Sequence, residues 1–401
     1  MATRSAKGPA LAHANDILTV TGHFDGGNPK NASNIRREGP GVFTVTPAWE
    51  RQPEEAYGLA FAVLVRNEDT KGHAVTLRVD WTTTQHMEYK GYYYLNHDGD
   101  DDWTEMKASV ADAVATVSFE ARPGESCVSL QPMYNYADSL AFEDAMSERA
   151  DVDVSPAGKS RQGREVWRVR IPATPAPNAE SVFFLARNNA CETGGNFMIE
   201  GMVRFLLSGG PDAKALLKRF TFHFLPMSNP DGAFDGLERE TAVKGGAWLA
   251  RVKTAPDSAH DAIRRSLELV RPAVFVNLHN WMMSDVDGLL CNEELYARRL
   301  AELLPSIGKH PRQRHREWYS DAATEVEERK GATVWPVSKL EELHRESGGT
   351  WKDFCRERFG SRAMAVEFPW RGRAVDDMCA LGSALLRAVC VIRTEEVEAK
   401  A

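Results

Sequence analysis

Several features are scarce or missing in these 401 residues, and each absence removes a class of function. No apolar run approaches the length needed to cross a bilayer, which excludes a helical membrane protein. The first sixteen residues, Met1 to Asp16, are polar and small, without the apolar stretch of a secretion signal. A cytoplasmic location is the expectation. Six cysteines (Cys127, Cys191, Cys291, Cys355, Cys379 and Cys390) lack paired metal-type spacing, so they are expected to be reduced thiols. Lys and Arg number 49 against 57 Asp and Glu, scattered with no dense basic block. The net charge of -8 argues against a nucleic-acid partner. There is no internal repeat and no low-complexity segment, and nothing in the chain sets an oligomeric state.

What is present is an ordinary globular composition, 43% hydrophobic and 26% charged, on a chain long enough for two domains with large cores. From about residue 18 to 132 the pattern is short and strand-like. Runs at 42–46, 59–65, 74–81 and 114–119 are punctuated by turn clusters at 25–28 and 97–100, the spacing of a small antiparallel β-sandwich. After a junction at 131–136, a helix is predicted at 140–148 and a turn at 158–164 leading into a strand at 166–171. Strands predicted at 182–185, 220–225, 273–278 and 363–368 then alternate with helices at 196–207, 212–219, 260–270 and 293–304. That alternation predicts a mixed α/β sheet flanked by helices.

The chemistry concentrates in four motifs. Ala186-Arg187-Asn188-Asn189-Ala190-Cys191-Glu192-Thr193 follows the apolar run 182–185 and precedes an amphipathic helix. The others are Asn229-Pro230-Asp231-Gly232, Phe275-Val276-Asn277-Leu278-His279-Asn280 and Ala365-Val366-Glu367-Phe368-Pro369. His279 lies at the end of an apolar strand, where side chains of an α/β sheet meet a crevice. Glu192 opens a helix, where an acid is stabilised by the dipole whether or not it binds anything. Glu367 is an acid inside an apolar strand, costly unless it has a partner. Burial would raise its pKa toward the range useful to a general base.

Together these motifs resemble the zinc carboxypeptidase superfamily, and within it the cytosolic carboxypeptidases. The superfamily expects His, two residues, then Glu at the first position; here Asn189 stands where the His belongs. The segment His23-Phe24-Asp25-Gly26-Gly27-Asn28, the junction Met133-Tyr134-Asn135-Tyr136 and the turn at 158–164 are similar to the same branch. The resemblance implies a β-sandwich over residues 1–133 and a carboxypeptidase-like α/β domain over residues 134–396. It also implies a function, the hydrolysis of C-terminal peptide bonds of a peptide or protein.

The roles it implies fall on particular residues. Zinc would be held by Glu192, His279 and Asn189, whose amide oxygen is neutral like imidazole but a harder, poorer zinc donor. A cation completed by Asn189 or extra water and an empty site are both open. Glu367 matches the acid that activates water and passes its proton to the leaving amine; the bland alternative pairs it with Arg362 or Arg371. Arg239 matches the oxyanion-stabilising Arg. Arg251 matches the Arg that grips the substrate carboxylate, although the usual Asn-Arg pair is here Ala250-Arg251. His344 stands near Gly348-Gly349, where many members carry a substrate-capping Tyr. Lys352, Arg356, Arg358 and Arg362 read as a solvated face rather than a pocket for acidic C-terminal residues. Two other functions compete with hydrolysis at a peptide C-terminus. One is a catalytically impaired relative that binds peptides through Arg239, Arg251 and the sandwich, and the other is a deacylase of small N-acyl amino acids.

Overall fold

A computed structural model describes residues 17–49, 58–98, 100, 102–174, 178–238, 258–280, 287–291, 293–304, 307, 316–319, 332–335 and 349–400. The first ten strands are β1 (Leu18–Thr21), β2 (Ile35–Gly39), β3 (Val42–Val45), β4 (Ala62–Asn67), β5 (His73–Asp80), β6 (Tyr92–His97), β7 (Thr104–Lys107), β8 (Ser109–Ala111), β9 (Val114–Ala121) and β10 (Gly124–Ser129). They form two five-stranded sheets, β1-β4-β10-β6-β7 and β2-β3-β5-β9-β8. Val45, Val63, Val65, Leu77, Val79, Trp81, Tyr93, Val117 and Val128 meet between them as the sandwich core. The expected all-antiparallel pairing needs one correction, because β3 and β5 run parallel. The chain between them passes through β4 in the other sheet and returns in its original direction, the crossover that parallel pairing requires.

The β4 strand is buried on both faces. Val63 and Val65 point into the sandwich core, while Ala62 and Leu64 join the core of the following unit. That second core is built on a nine-stranded mixed sheet. Its strands are β11 (Asp153–Lys159), β12 (Glu165–Ile171), β13 (Glu180–Ala186), β14 (Phe220–Leu225), β15 (Val274–His279), β16 (Asp287–Cys291), β17 (Arg316–Tyr319), β18 (Ala332–Trp335) and β19 (Arg362–Glu367), in the order β11-β12-β14-β13-β15-β19-β16-β17-β18. The central strands β14, β13, β15 and β19 are parallel to one another, and β12 and β16 join them antiparallel. This is the mixed α/β sheet the alternation predicts.

Helices α1 (Tyr136–Ser147), α2 (Gly194–Leu206), α3 (Pro211–Leu217), α4 (Pro230–Asp235), α5 (Ser258–Val270), α6 (Glu294–Leu303), α7 (Trp351–Phe359) and α8 (Val375–Glu398) complete the described residues. The continuous apolar run of β13 serves two layers at once. Val182 and Phe184 face Met198, Met202 and Leu385 of α2 and α8, while Phe183 and Leu185 face Ile263, Leu267 and Trp351 of α5 and α7. At the crossing of α2 and α8, a Cβ on Gly201 would run into the Cys379 carbonyl and one on Gly382 into that of Met198. Glycine therefore sets the helix spacing behind the site. No described helix is long and apolar enough to cross a membrane.

One buried acid carries a pH prediction. Glu143 on α1 is 3% exposed and accepts from Ser139 Oγ at 3.0 Å. Burial pushes its carboxyl up to about 8 from an ordinary 4.5. Between those values the folded state keeps a proton that the unfolded chain has lost, so stability falls as pH rises. Glu143→Gln removes that loss. The variant is expected to melt several degrees above the parent at pH 8, and the two to converge near pH 5. Parallel melting curves across that range would refute the assignment.

Candidate active site

The site lies at the C-terminal ends of β13, β15 and β19, where the parallel strands deliver three loops to one place. After β13 the chain turns at Arg187, which holds a left-handed φ of 63°. Its buried guanidinium donates from Nε to the Ala190 carbonyl at 2.8 Å and from Nη1 to the Tyr134 carbonyl at 2.7 Å and Asn196 Oδ1 at 3.2 Å. Burial pushes that guanidinium down to about 10, so it stays cationic at neutral pH. The turn ends as the Glu192 N–H donates to the Asn189 carbonyl at 3.2 Å, and α2 follows.

Asn280 then ties this loop to β19. Its Oδ1 accepts from the Gly194 N–H, and its Nδ2 donates to the Phe368 carbonyl. Trp370 Nε1 donates to Thr193 Oγ1 at 3.0 Å, a second tie between the same two segments.

Four side chains converge there. His279 and Glu367 sit opposite each other in the parallel register of β15 and β19. Glu192 Oε2 lies 2.7 Å from His279 Nδ1. Asn189 Nδ2 donates to Glu192 Oε1 at 2.7 Å and lies 3.3 Å from His279 Nδ1. Glu192 and His279 are 7% and 8% exposed, and Asn189 and Glu367 are half-buried. One ligand atom each from Glu192, His279 and Glu367 lie within 4.8 Å of one another.

This donor set fits a divalent cation in position and number. Tetrahedral zinc with ligands about 2.0–2.2 Å away keeps its donors roughly 3.3–3.6 Å apart. The Glu192–His279 contact therefore has to open by under about 1 Å to admit an ion. Asn189 fits less well as it stands, because the atom it turns toward Glu192 is a donor nitrogen. To offer Oδ1 its amide must rotate and give up that hydrogen bond.

The other sequence-predicted residues divide. Arg239, Arg251 and His344 lie outside the described residues. Arg362 is no partner for Glu367; it is held by Glu396 and, at 2.8 Å, by Glu293. The guanidinium of Arg371 lies 3.8 Å over the Tyr92 ring. The solvated basic face is corrected at Lys352, which is buried and bonded to Asp353 at 3.1 Å, since an acid beside it offsets the cost of burial.

Asp231 has a structural role. It is buried, accepts from Ser160 Oγ, the Gln162 N–H and Arg164 Nη1 at 2.6–2.9 Å, and so locks the 158–164 turn onto α4.

Sequence reading missed the amides behind the site. Asn188 Nδ2 donates to Asn277 Oδ1 at 3.3 Å, and Asn188 Oδ1 accepts from Ser228 Oγ at 3.3 Å. Asn277, a polar residue inside the apolar run of β15, was the available signal.

The sequence model of the zinc carboxypeptidase family matches residues 133–251. Cytosolic carboxypeptidase 6 of Caenorhabditis elegans is 26% identical over 207 residues, 47% of this chain and 42% of that protein. Cytosolic carboxypeptidase 2 of Xenopus tropicalis is 38% identical over 132 residues, covering 30% and 14%. The chain thus spans less than half the length of these relatives. Among solved structures, a metallo-carboxypeptidase from Burkholderia cenocepacia superposes with a TM-score of 0.74 at 18% identity, covering 96% of this chain and all of that one. One from Pseudomonas aeruginosa, in complex with (2-guanidinoethylmercapto)succinic acid, gives 0.71 at 17% identity over 94% and 99%. At these identities the likeness is one of fold.

Proposed function

We propose, from the premise that this chain carries a zinc carboxypeptidase family domain over residues 133–251, that it removes C-terminal residues from peptides or proteins in a metal-dependent hydrolysis. The observation that carries the reading is the convergence of Glu192, His279 and Glu367, drawn from three separate strand ends onto one point. His279 Nδ1, Glu192 and a rotated Asn189 would hold the ion. Zinc bound there supplies a Lewis acid that polarises the scissile carbonyl and acidifies water. Glu367 takes the proton of the attacking water and returns it to the leaving amine. Arg239 holds the charge that develops on the carbonyl oxygen, while Arg251 and His344 grip the substrate end. A division at residues 133 and 134 and a cytoplasmic location go with this reading.

The test is release of the C-terminal residue from a peptide library, followed by mass spectrometry. Release is expected to stop after chelation and to return with added zinc. Protein carrying one zinc per chain and releasing nothing would favour the second reading, a catalytically impaired peptide binder. The observation on that side is the Asn189 amide, which donates to Glu192 in the position where a third ligand is needed.

A further inference from the structure

Among the described residues, Glu238 joins the sandwich to the loop that carries Glu192. This residue is buried, and it faces two ways. Its main-chain carbonyl accepts from the Cys191 N–H at 2.9 Å, one residue before Glu192. Its carboxylate Oε2 accepts from the Leu59 N–H at 3.2 Å, in the sandwich. The neighbouring Gly58 carbonyl is held in turn by the ammonium of Lys90. Lys90 is fully buried, its Nζ 4.2 Å from the centre of the Trp81 ring in the sandwich core. The charge of Glu238 favours its ammonium form most, against a burial that pushes it down to about 7.

The segment leading to Glu238 is stitched to the sandwich as well. The Gly26 N–H donates to the Phe234 carbonyl and Asn28 Nδ2 to the Gly236 carbonyl, both at 2.9 Å. Gly236 has φ 69°, and a Cβ there would strike the Gly27 carbonyl.

We propose that Glu238 and Lys90 are positioning residues through which the sandwich fixes the Cys191–Glu192 turn and thereby the carboxylate that would hold the metal. The chain of contacts runs without a gap from Trp81 and Lys90, through Gly58 and Leu59, to Glu238 and on to Cys191. Removing Lys90 alone would leave the Gly58 carbonyl and the buried Glu238 carboxylate without their cation, a loss felt on the Glu238 side of the contact. Groups that orient metal ligands from behind typically control metal affinity by 10–100-fold. The metal half of the proposal rests on the hydrolytic reading; the ordering of the turn does not.

Three variants of the whole chain test it: Lys90→Met, Glu238→Ala and Glu238→Gln. The readouts are amide hydrogen exchange at residues 190–193, zinc affinity by competition with a chelating dye, and melting temperature. Lys90→Met is expected to lower the melting temperature, to speed exchange at Cys191 about tenfold beyond any change at the core amides of β14, and to weaken zinc about tenfold. Glu238→Ala is expected to do the same to exchange and zinc. Glu238→Gln, which keeps an acceptor for the Leu59 N–H, is expected to restore most of both. Unchanged exchange at Cys191 in Lys90→Met and Glu238→Ala would overturn the proposal. Faster exchange with zinc affinity unchanged would overturn its metal half. A parent chain that binds no zinc would sink the hydrolytic reading instead, and exchange alone would then decide the ordering of the turn.

Discussion

Asn189→His is expected to bind zinc about 10²–10³-fold more tightly than the parent chain. Structural zinc sites are worth about 10–16 kcal/mol, so restoring one good ligand returns roughly 3–4 kcal/mol of that. Two contributions add. Imidazole nitrogen is a better zinc donor than an amide oxygen. The parent must also break the 2.7 Å bond from Asn189 Nδ2 to Glu192 before its oxygen can turn inward. Manganese, which suits oxygen ligands, is expected to gain far less, so the ratio of zinc to manganese affinity rises with the substitution. Titration of both proteins with both ions measures this. Equal zinc affinities would remove residue 189 from the site, and no binding by either protein would remove the site itself.

Glu367→Gln is expected to lower kcat by about 10²–10⁴ while leaving KM and zinc affinity within a few-fold, because a general base acts on the chemical step and not on ground-state binding. The amide keeps the size and polarity of the carboxylate and loses only its capacity to take a proton. The packing leaves room for this swap: the backbone of Gly288 on β16 sits directly across from Glu367 and presents no side chain to it. Zinc affinity measured on the same preparation separates two roles. Glu367 has a ligand atom within 4.8 Å of those of Glu192 and His279, close enough to be a ligand. A loss of zinc together with turnover would make it one, and a kcat within threefold of the parent would end its assignment as base.

The sheet was legible wherever a run of apolar residues is buried on both faces, as in β13, β14 and β15. Six of the ten sandwich strands (β1, β2, β6, β7, β8 and β10) matched no predicted run, and for two of them the physical reason is plain. In β6, Tyr93 to His97 are all buried, so its tyrosines show no alternation to read. In β10, Ser126 is buried by bonding to His97 Nδ1 at 2.8 Å, a partnership with no local signature. At the site, His279 and Glu367 stood out because each is polar in an apolar strand, whereas Glu192, an acid in a polar loop, was marked by the resemblance alone. The Asn188–Asn277 amide pair was not legible, since its two members lie on segments distant in sequence. Lys352 was misread because a run of basic residues does not show that one of them is buried against Asp353.

Arg187 combines two requirements that few residues meet. Its backbone occupies a conformation that glycine adopts freely, while its side chain supplies donors to three oxygens on different segments. Glycine there would relax the turn and leave those acceptors orphaned; lysine would keep the charge without the planar fork. Adaptation of this loop toward another chemistry has therefore to work around a nearly immutable pivot, with variation confined to the residues it presents.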